Sequence, residues 1–189
     1  SAISENWLNQ NKLNISKKIK FLFVGRYERR KGVEEINKSI LNLSNSNLIA
    51  EFHFVGSFPK KNRIKSNEFK IVYHGEIIEE ELKKKIYDNC DVLLCPSHSE
   101  GMPNVILEAM SRGLAIIATD VGAVRLLVST NNGVLLSKCN EYLIEKNIRY
   151  FLLMSENTLL KMKKNSIEKV KGNFIWCQII DRIAIELNK

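Results

Sequence analysis

The sequence lacks the features that would assign it to a specialised class of protein. Its 189 residues contain no apolar run as long as the roughly 18 residues of a membrane helix, and its start shows no basic-then-apolar secretory signal. Repeats, low-complexity tracts and Pro/Gly-rich linkers are also missing. With 44% hydrophobic and 26% charged residues, the chain is predicted to form one globular domain with a large core. Because it begins with Ser-Ala rather than Met, we expect a piece of a longer protein.

Cysteine is scarce and scattered. The four residues Cys90, Cys95, Cys139 and Cys177 form no Cys-x-x-Cys pair, and the three histidines are not clustered at metal-ligand spacing. A disulfide framework and a metal site are therefore both unexpected. We expect reduced thiols in a cytoplasmic protein that uses neither a metal nor another cofactor.

Acidic residues are outnumbered by basic ones, 21 to 29, which gives a net charge of +8. The lysines gather in segments 60–65 and 161–171. Neither segment has the interleaved aromatic residues of a nucleic-acid-binding surface, so we expect solvated helix faces and no nucleic-acid partner. Peripheral contact with the inner face of an anionic membrane is the alternative that these lysines leave open.

Short apolar runs alternate with helix-period segments through the first 136 residues. This alternation is typical of βα units that stack into a parallel sheet. The sequence predicts an α/β fold, a Rossmann-like three-layer sandwich with about six parallel strands and extra C-terminal helices. The predicted strands are 19–25, 50–56, 70–75, 91–97, 114–119 and 133–136, and the predicted helices between them are 32–44, 79–89, 103–112 and 123–129. Residues 1–18 are predicted to be a lead-in segment, and residues 19–189 the domain.

The segment 98–110, HSEGMPNVILEAM, lies where ligands of such sheets collect, outside the carboxyl end of a predicted strand. Pro103 suits the first position of a helix that Gly113 ends. The turn before this helix is then predicted to leave unpaired N–H groups at the positive end of a helix dipole, which favours a phosphate. The residues concerned are Gly101, Met102, Asn104 and Val105.

Two acids flank this predicted phosphate site. Glu108 is the only acid of the helix and lies at the edge of its apolar arc, where a carboxylate can accept hydrogen bonds from a vicinal diol such as that of ribose. Glu100 lies in the turn and would reach a group on the other side of the phosphate. On spacing alone, an ordinary flank charge and an ordinary loop charge explain these two acids equally well.

Several motifs between residues 19 and 185 resemble, in the correct order, those of retaining GT-B glycosyltransferases of the group 1 family. Glu100 and Glu108, with seven residues between them, resemble the E-x7-E signature. FLFVGRYERRKGVEEINKSI resembles the family's Gly-Arg…Lys-Gly phosphate element, VYHGEIIEEELKKKIYDNCDVLLCPS its base-binding stretch, and FIWCQIIDRI its usual ending.

The resemblance implies the C-terminal, donor-binding half of a two-domain GT-B enzyme whose N-terminal half binds the acceptor. It implies transfer of a hexose-type sugar from a nucleoside diphosphate sugar, with a UDP-sugar expected, in bacterial surface glycan synthesis. No side chain is expected to act as base or nucleophile, because the family's retaining chemistry is described as front-face attack assisted by the leaving diphosphate. The fragment alone is expected to be inactive. The alternative is a non-catalytic nucleotide- or partner-binding module on the same fold.

The resemblance also implies roles for residues. Arg26 and Lys31 would contact the diphosphate and Glu100 would position the sugar hydroxyls, which makes these three the predicted catalytic residues, while Glu108 would bind the ribose. Two fixed cations and a helix N-terminus would replace a metal. The other predicted donor-binding residues are Gly25, Gly75, Glu76, Ile77, His98, Gly101, Met102, Pro103, Asn104 and Val105. Without the family, the two cations would be explained as surface charges, and His98 as a structural hydrogen bond.

The chain departs from the family pattern at 122–127, GAVRLL. Arg125 and Leu126 stand where Pro and Glu are common, so we expect a different sugar pocket there. Met102-Pro103 in place of the frequent Phe-Gly is a milder variation.

Overall fold

The chain forms a six-stranded sheet in which all neighbouring strands are parallel. The computed structural model describes residues 1–9, 13–43 and 47–187. The strands are β1 (Ile19–Val24), β2 (Ala50–Val55), β3 (Lys70–Gly75), β4 (Val92–Cys95), β5 (Ala115–Thr119) and β6 (Gly133–Leu136), in the order β3-β2-β1-β4-β5-β6. This is the order of a doubly wound Rossmann sheet. The predicted fold class is therefore confirmed.

Helices connect most of the strands. The helices are α1 (Val33–Asn42), α2 (Glu80–Asp88), α3 (Asn104–Ser111), α4 (Val124–Leu127), α5 (Glu141–Leu152), α6 (Glu156–Asn173) and α7 (Trp176–Leu187). The first four match the predicted helices, with shorter ends, and the last three are the predicted C-terminal helices. Side chains fix two of the starts, since Asn140 accepts a hydrogen bond from the amide of Leu143, and Ser155 one from the amide of Thr158.

The core has two halves, one on each face of the sheet. Strand alternation divides it: Phe21 and Phe23 of β1 pack in one cluster, and Leu22 packs in the other. Helices α1 and α5 cover the phenylalanine side, while α2 and α3 cover the opposite side. Both faces of the sheet are therefore buried, as expected for parallel strands.

The lead-in segment packs against the same core. Ile3 forms a parallel bridge with Ile175, just before α7. The Trp7 ring is buried and lies edge-on to Tyr87 of α2, with 6.0 Å between ring centroids. The beginning of the chain is thus held against α2 and α7.

A buried ion pair lies at the opposite edge of the sheet from the predicted site. Asp91, immediately before β4, pairs with Lys163 of α6 at 2.8 Å, and both residues are buried. The sequence prediction that 161–171 is a solvated lysine face is therefore wrong for Lys163, because this ammonium points inward to a carboxylate. The neighbouring Lys161 and Lys164 are exposed as predicted.

All four cysteines are free thiols. Among the described residues, no helix combines the length and apolarity needed to cross a membrane.

Candidate functional site

The predicted site residues come from loops that follow three strands at the carboxyl edge of the sheet. Arg26 and Lys31 follow β1, Gly75 ends β3, and Glu100 follows β4. Parallel strands end at the same edge, so the fold brings these loops to a common rim. Lys31 lies 69 residues before Glu100, and yet their side chains are in contact.

Glu100 is the centre of this rim. Its Oε1 accepts hydrogen bonds from the Lys31 ammonium at 2.6 Å and from the Ser97 hydroxyl at 2.8 Å. Its Oε2 lies 3.4 Å from a guanidinium nitrogen of Arg30. The carboxylate is only 8% exposed, and Lys31 is 19% exposed. Two of the three predicted catalytic residues, Glu100 and Lys31, are therefore held together in a partly buried ion pair.

The protonation state of Glu100 follows from these contacts. Burial opposes ionisation of the carboxyl, but the hydrogen bonds from Lys31 and Ser97 outweigh it and hold the pKa of Glu100 below its usual value of 4.5. Glu100 is therefore a carboxylate near neutral pH, able to accept hydrogen bonds from hydroxyl groups and unable to donate a proton.

Arg26 is connected to Glu100 indirectly, through ion pairs with intervening charged residues. It pairs with Glu28 at 3.0 Å and is 75% exposed. Glu28 in turn lies 3.6 Å from Arg30, which contacts Glu100. Arg26 is thus a solvent-facing charge of the same network, whereas Arg30, which the sequence analysis did not single out, lies closer to the carboxylate.

The turn before α3 has the unpaired amides that the sequence predicts. No described residue accepts a hydrogen bond from the amides of Asn104 or Val105, at the first turn of this helix. Pro103 differs from the prediction by one position, because its ψ of 117° leaves it outside the helix as the N-cap. The proline ring fixes φ but not ψ, so the sequence could not separate these two positions.

Gly122 fits the loop after β5 against this turn. Its φ is +55°, and a Cβ there would collide with the backbone carbonyl oxygens of Glu100 and Gly101. The amide of Ala123 also donates to the Gly101 carbonyl at 2.8 Å. In the same loop, Arg125, which departs from the family pattern, forms an ion pair with Asp120 at 2.7 Å.

Glu108 lies on α3 and faces α2. Its Oε2 accepts a hydrogen bond from the Tyr87 hydroxyl at 2.7 Å and lies 2.7 Å from the Lys83 ammonium. No described residue donates to Oε1. Burial, and next the charge of Glu108, raise the pKa of Tyr87 well above 10, so this phenol is a fixed hydrogen-bond donor. Sequence analysis missed Tyr87 because an aromatic residue on an apolar helix face looks like any core residue.

The predicted base-binding residues lie beside this helix. Gly75 ends β3 with a φ of +76°, Glu76 is exposed, and Ile77 is half-buried. Ile77 packs against the same core cluster as Met102 and Val105. The base-side and phosphate-side segments therefore share one apolar support.

His98 is engaged away from Glu100. Its ring Nε2 lies 2.9 Å from a carboxylate oxygen of Glu35 on α1, and its backbone amide donates to the Arg30 carbonyl at 2.8 Å. These contacts agree with the alternative explanation of His98 as a residue that holds the loop.

Comparison with known proteins identifies a family and individual proteins that this chain resembles. A family model described as "Glycosyl transferases group 1" matches residues 18–152. The putative teichuronic acid biosynthesis glycosyltransferase TuaC of Bacillus subtilis (strain 168) is 31% identical over 115 residues, which are 61% of this chain and 28% of TuaC. The matched segments cover about a third of the length of the curated relatives.

Solved structures share the fold. The C-terminal domain of the group 1 glycosyltransferase LpcC from Francisella tularensis aligns with a TM-score of 0.71 at 22% identity, over 86% of this chain and 89% of that one. HepE from Anabaena in complex with UDP aligns with a TM-score of 0.72 at 19% identity, over 90% of this chain and 49% of that one.

Proposed function

This chain belongs to the group 1 glycosyltransferases, and from that premise we propose that it binds the nucleoside diphosphate sugar of a retaining enzyme. The chain corresponds to the C-terminal, Rossmann-like domain of a group 1 GT-B glycosyltransferase. The proposed donor is a UDP-hexose, and the proposed product a bacterial surface glycan. The names of two similar proteins support these assignments: TuaC is described as a teichuronic acid biosynthesis glycosyltransferase, and HepE forms a complex with UDP.

One observation carries the proposal: Glu100, which lies only a few residues before the N-terminus of α3, forms an ion pair with Lys31 from the loop after β1. The Lys31 ammonium and the free amides of Asn104 and Val105 are donors that suit a diphosphate. The Glu100 carboxylate is an acceptor that suits sugar hydroxyls. A sugar joined to a diphosphate needs both kinds of group on adjacent sides.

The chemistry proposed for this rim is stabilisation of the leaving group. Breaking the bond between the anomeric carbon and the diphosphate leaves negative charge on the phosphate oxygens. Lys31, with Arg26 from the solvent side and the helix N-terminus, would stabilise that charge as it develops. Arg30, held near Glu100, adds a further positive charge. Under this proposal no divalent metal is needed at the diphosphate.

Glu100 acts in this proposal as a positioning carboxylate. Its lowered pKa keeps it ionised, so it cannot protonate a leaving oxygen. It would accept hydrogen bonds from the donor sugar and fix its orientation. The attacking acceptor hydroxyl would lose its proton to the departing diphosphate, on the same face of the sugar.

The nucleoside would lie toward α2. The Oε1 atom of Glu108 is the open acceptor for a ribose hydroxyl, while Tyr87 and Lys83 hold the other oxygen. Ile77 offers an apolar surface beside it for the base. The ribose would therefore bind the Glu108 carboxylate, whose orientation Tyr87 and Lys83 already fix.

The acceptor would bind a second αβ half of the same enzyme, outside residues 1–189. Under this proposal the described domain alone binds donor and transfers nothing.

The exposed lysines of α6, which include Lys161 and Lys164, are proposed to contact anionic lipid at the cytoplasmic face, each contributing about 1 kcal/mol. Co-sedimentation with vesicles is expected to rise with anionic lipid content, and indifference to that content would remove this contact.

Calorimetry tests donor binding directly. The domain is titrated with UDP, GDP and a panel of their sugars, with circular dichroism to confirm that it is folded. We expect saturable binding of UDP in the micromolar to millimolar range. A folded domain that binds neither nucleotide at millimolar concentration would remove the site assignment.

Glu108→Gln tests the ribose contact. The amide keeps the shape of the side chain and loses its charge, so UDP binding is expected to weaken about tenfold. Glu34→Gln, at an exposed position of α1, is the matched control and is expected to bind as the parent does. Equal affinity in both variants would leave Glu108 without a role in binding.

A non-catalytic module on the same fold is the second candidate. It is favoured by Arg125 and Leu126, which stand where the family often has Pro and Glu, and by the ion pair of Arg125 with Asp120. The full-length protein discriminates between the two. Transfer of radiolabelled sugar that is lost in Lys31→Ala supports the enzyme, and tight UDP binding without any turnover supports the module.

A further inference from the structure

Three side chains of metal-binding type meet beside α1. Glu35 comes from α1, His98 from the loop after β4, and Cys139 from the loop after β6. One ligand atom of each lies within 4.8 Å of the other two. The residues are far apart in sequence, 63 positions in the case of Glu35 and His98, so only the fold brings them together.

The spacing is close to that of a zinc site. Tetrahedral Zn²⁺ binds thiolate sulfur at about 2.3 Å and imidazole nitrogen or carboxylate oxygen at about 2.0–2.2 Å, which puts ligand atoms roughly 3.3 to 3.8 Å apart. His98 Nε2 and one Glu35 oxygen are 2.9 Å apart, and the full set spans no more than 4.8 Å. Small side-chain rotations would bring all three atoms to bonding distance of one ion.

The carboxylate of Glu35 has an unmet need for a partner. Its Oε2 is buried and accepts no hydrogen bond from an N–H or O–H group of the described residues, and the donor beside this carboxylate is the weak Cys139 thiol. An orphaned carboxylate oxygen costs free energy, and a cation at this point would remove that cost.

The thiol is held close to the backbone that carries Glu35. Gly32 precedes α1 as its N-cap with a φ of +69°, and a Cβ there would come within 2.7 Å of the Cys139 sulfur and collide with the Pro96 carbonyl. The absence of a side chain at this position therefore allows the sulfur to approach α1 and Glu35.

We propose that Glu35, His98 and Cys139 bind one Zn²⁺ ion, with water as the fourth ligand. Sulfur, nitrogen and oxygen together suit zinc better than calcium or magnesium, which take oxygen ligands. His98 is 42% exposed, so solvent reaches the site. On binding, the thiol releases its proton to solvent and the sulfur donates an electron pair to the ion, with no change in oxidation state.

The ion would connect three segments. It would join α1 to the loops after β4 and β6, and the first two of these segments lie next to Lys31 and Glu100. Its ligands include neither Lys31 nor Glu100, so the site is distinct from the metal-free donor chemistry proposed above. The sequence-based expectation of no metal rested on spacing along the chain, which cannot reveal ligands that meet only after folding.

Titration of the metal-free domain with Zn²⁺, with thiols kept reduced by a phosphine, tests the site. We expect one ion per chain in calorimetry. Co²⁺ is expected to give a thiolate-to-metal charge-transfer band and intense visible bands of tetrahedral geometry. Cys139→Ser and Glu35→Gln are each expected to weaken binding at least tenfold and to abolish the charge-transfer band or reduce it strongly.

Cys177→Ser is the matched control, because this exposed thiol lies on α7 and is expected to leave binding unchanged. His74→Gln controls for the two remaining histidines of the chain, His53 and His74, whose ring nitrogens lie 2.9 Å apart. The proposal is overturned if the parent domain does not bind Zn²⁺. It is also overturned if Zn²⁺ binding is lost in Cys177→Ser or His74→Gln and kept in Cys139→Ser. UDP binding is measured separately, so failure of the zinc site leaves the donor site intact, and the reverse also holds.

Discussion

Two acid–lysine pairs lie at opposite ends of β4. Asp91 precedes the strand and pairs with Lys163 at 2.8 Å, while Glu100 follows it and pairs with Lys31 at 2.6 Å. The chemistry of the two pairs is the same. Their surroundings differ, and the difference separates a structural ion pair from one that can serve a ligand.

The Asp91 pair is closed on all sides. Its side chains are 1% and 4% exposed. The carboxylate also accepts hydrogen bonds from the amides of Ser16 and Lys20, and the ammonium donates to the Asn14 carbonyl. Both charges are therefore neutralised and hydrogen-bonded by the protein, and no group remains for a ligand.

The Glu100 pair is open. Among the residues that the structure describes, Glu100 alone accepts a hydrogen bond from the Lys31 ammonium, and Arg30 beside it is 46% exposed. A phosphate that enters from solvent can share the Lys31 ammonium without leaving a buried charge unpaired. We infer that stability resides in the first pair and ligand binding in the second.

Lys163→Met gives the largest expected effect. It leaves Asp91 buried without its counter-ion, so the free energy of unfolding is expected to fall by about 3–5 kcal/mol. Urea denaturation measures the loss. Lys164→Met, at the exposed neighbouring position, is expected to change it by no more than about 0.5 kcal/mol. If the single variant does not fold, Asp91→Asn with Lys163→Met should recover most of the stability. A loss below about 1 kcal/mol in the single variant would show the pair to be dispensable.

Lys31→Ala is expected to have the opposite effect to Lys163→Met: a small loss of stability and a large loss of affinity for UDP. Glu100 keeps Ser97 and Arg30 as partners, so the free energy of unfolding should fall by only about 1 kcal/mol. Affinity for UDP should fall by about 10- to 100-fold, because a charge-assisted hydrogen bond contributes about 1.5–3 kcal/mol. Lys60→Ala, an exposed lysine, is the control in the same calorimetry. A variant that unfolds like Lys163→Met while it binds UDP normally would contradict the comparison.

Tyr87→Phe tests whether the second acid of the site depends on a buried partner. Loss of the hydroxyl should lower the free energy of unfolding by about 1 kcal/mol and weaken UDP binding severalfold, because Glu108 keeps only Lys83. Tyr150→Phe, at an exposed position of α5, should change neither quantity. Unaltered UDP affinity in Tyr87→Phe would mean that Lys83 alone fixes the carboxylate.

The smallest expected effect concerns the half-buried histidine pair His53 and His74. Burial lowers the pKa of His74, and burial followed by the charge of His74 lowers that of His53, against the opposing pull of Glu51. A base with a lowered folded pKa binds fewer protons when folded, so its contribution to stability is present above about pH 6.5 and is lost as the pH falls below it.

Urea midpoints at about pH 7.5 and 5.5 measure this dependence. The double variant His53→Gln with His74→Gln should show a smaller fall in midpoint between these conditions than the parent. An equal fall in both proteins would assign the dependence to other groups.

The fold could be predicted almost completely because its signals are local. Six apolar runs of strand length, each followed by a turn or a charged residue, define the sheet, and all six are strands in the structure. Pro103 was misplaced by one position, since both conformations of proline share the same φ.

The partners of the site residues could not be predicted in the same way. Lys31 and Glu100 were each identified, but their contact spans 69 positions and depends on how two loops meet. Arg30, Ser97 and Tyr87 were missed because an arginine among basic residues, a serine after a strand and an aromatic on a helix carry no distinct signal. Arg26 matched the motif, yet its side chain is bound to Glu28 at the surface.

The tryptophan before the first strand has a consequence for shortened versions of the domain. Trp7 lies edge-on to Tyr87, and Tyr87 holds the Glu108 carboxylate. Deleting residues 1–8 would remove the buried Ile3 and Trp7 side chains from the core and, with Trp7, the ring that supports this phenol. We expect such a truncated domain to be less stable and to bind nucleoside poorly, a defect that would resemble a substitution at Glu108, a hundred residues further along the chain.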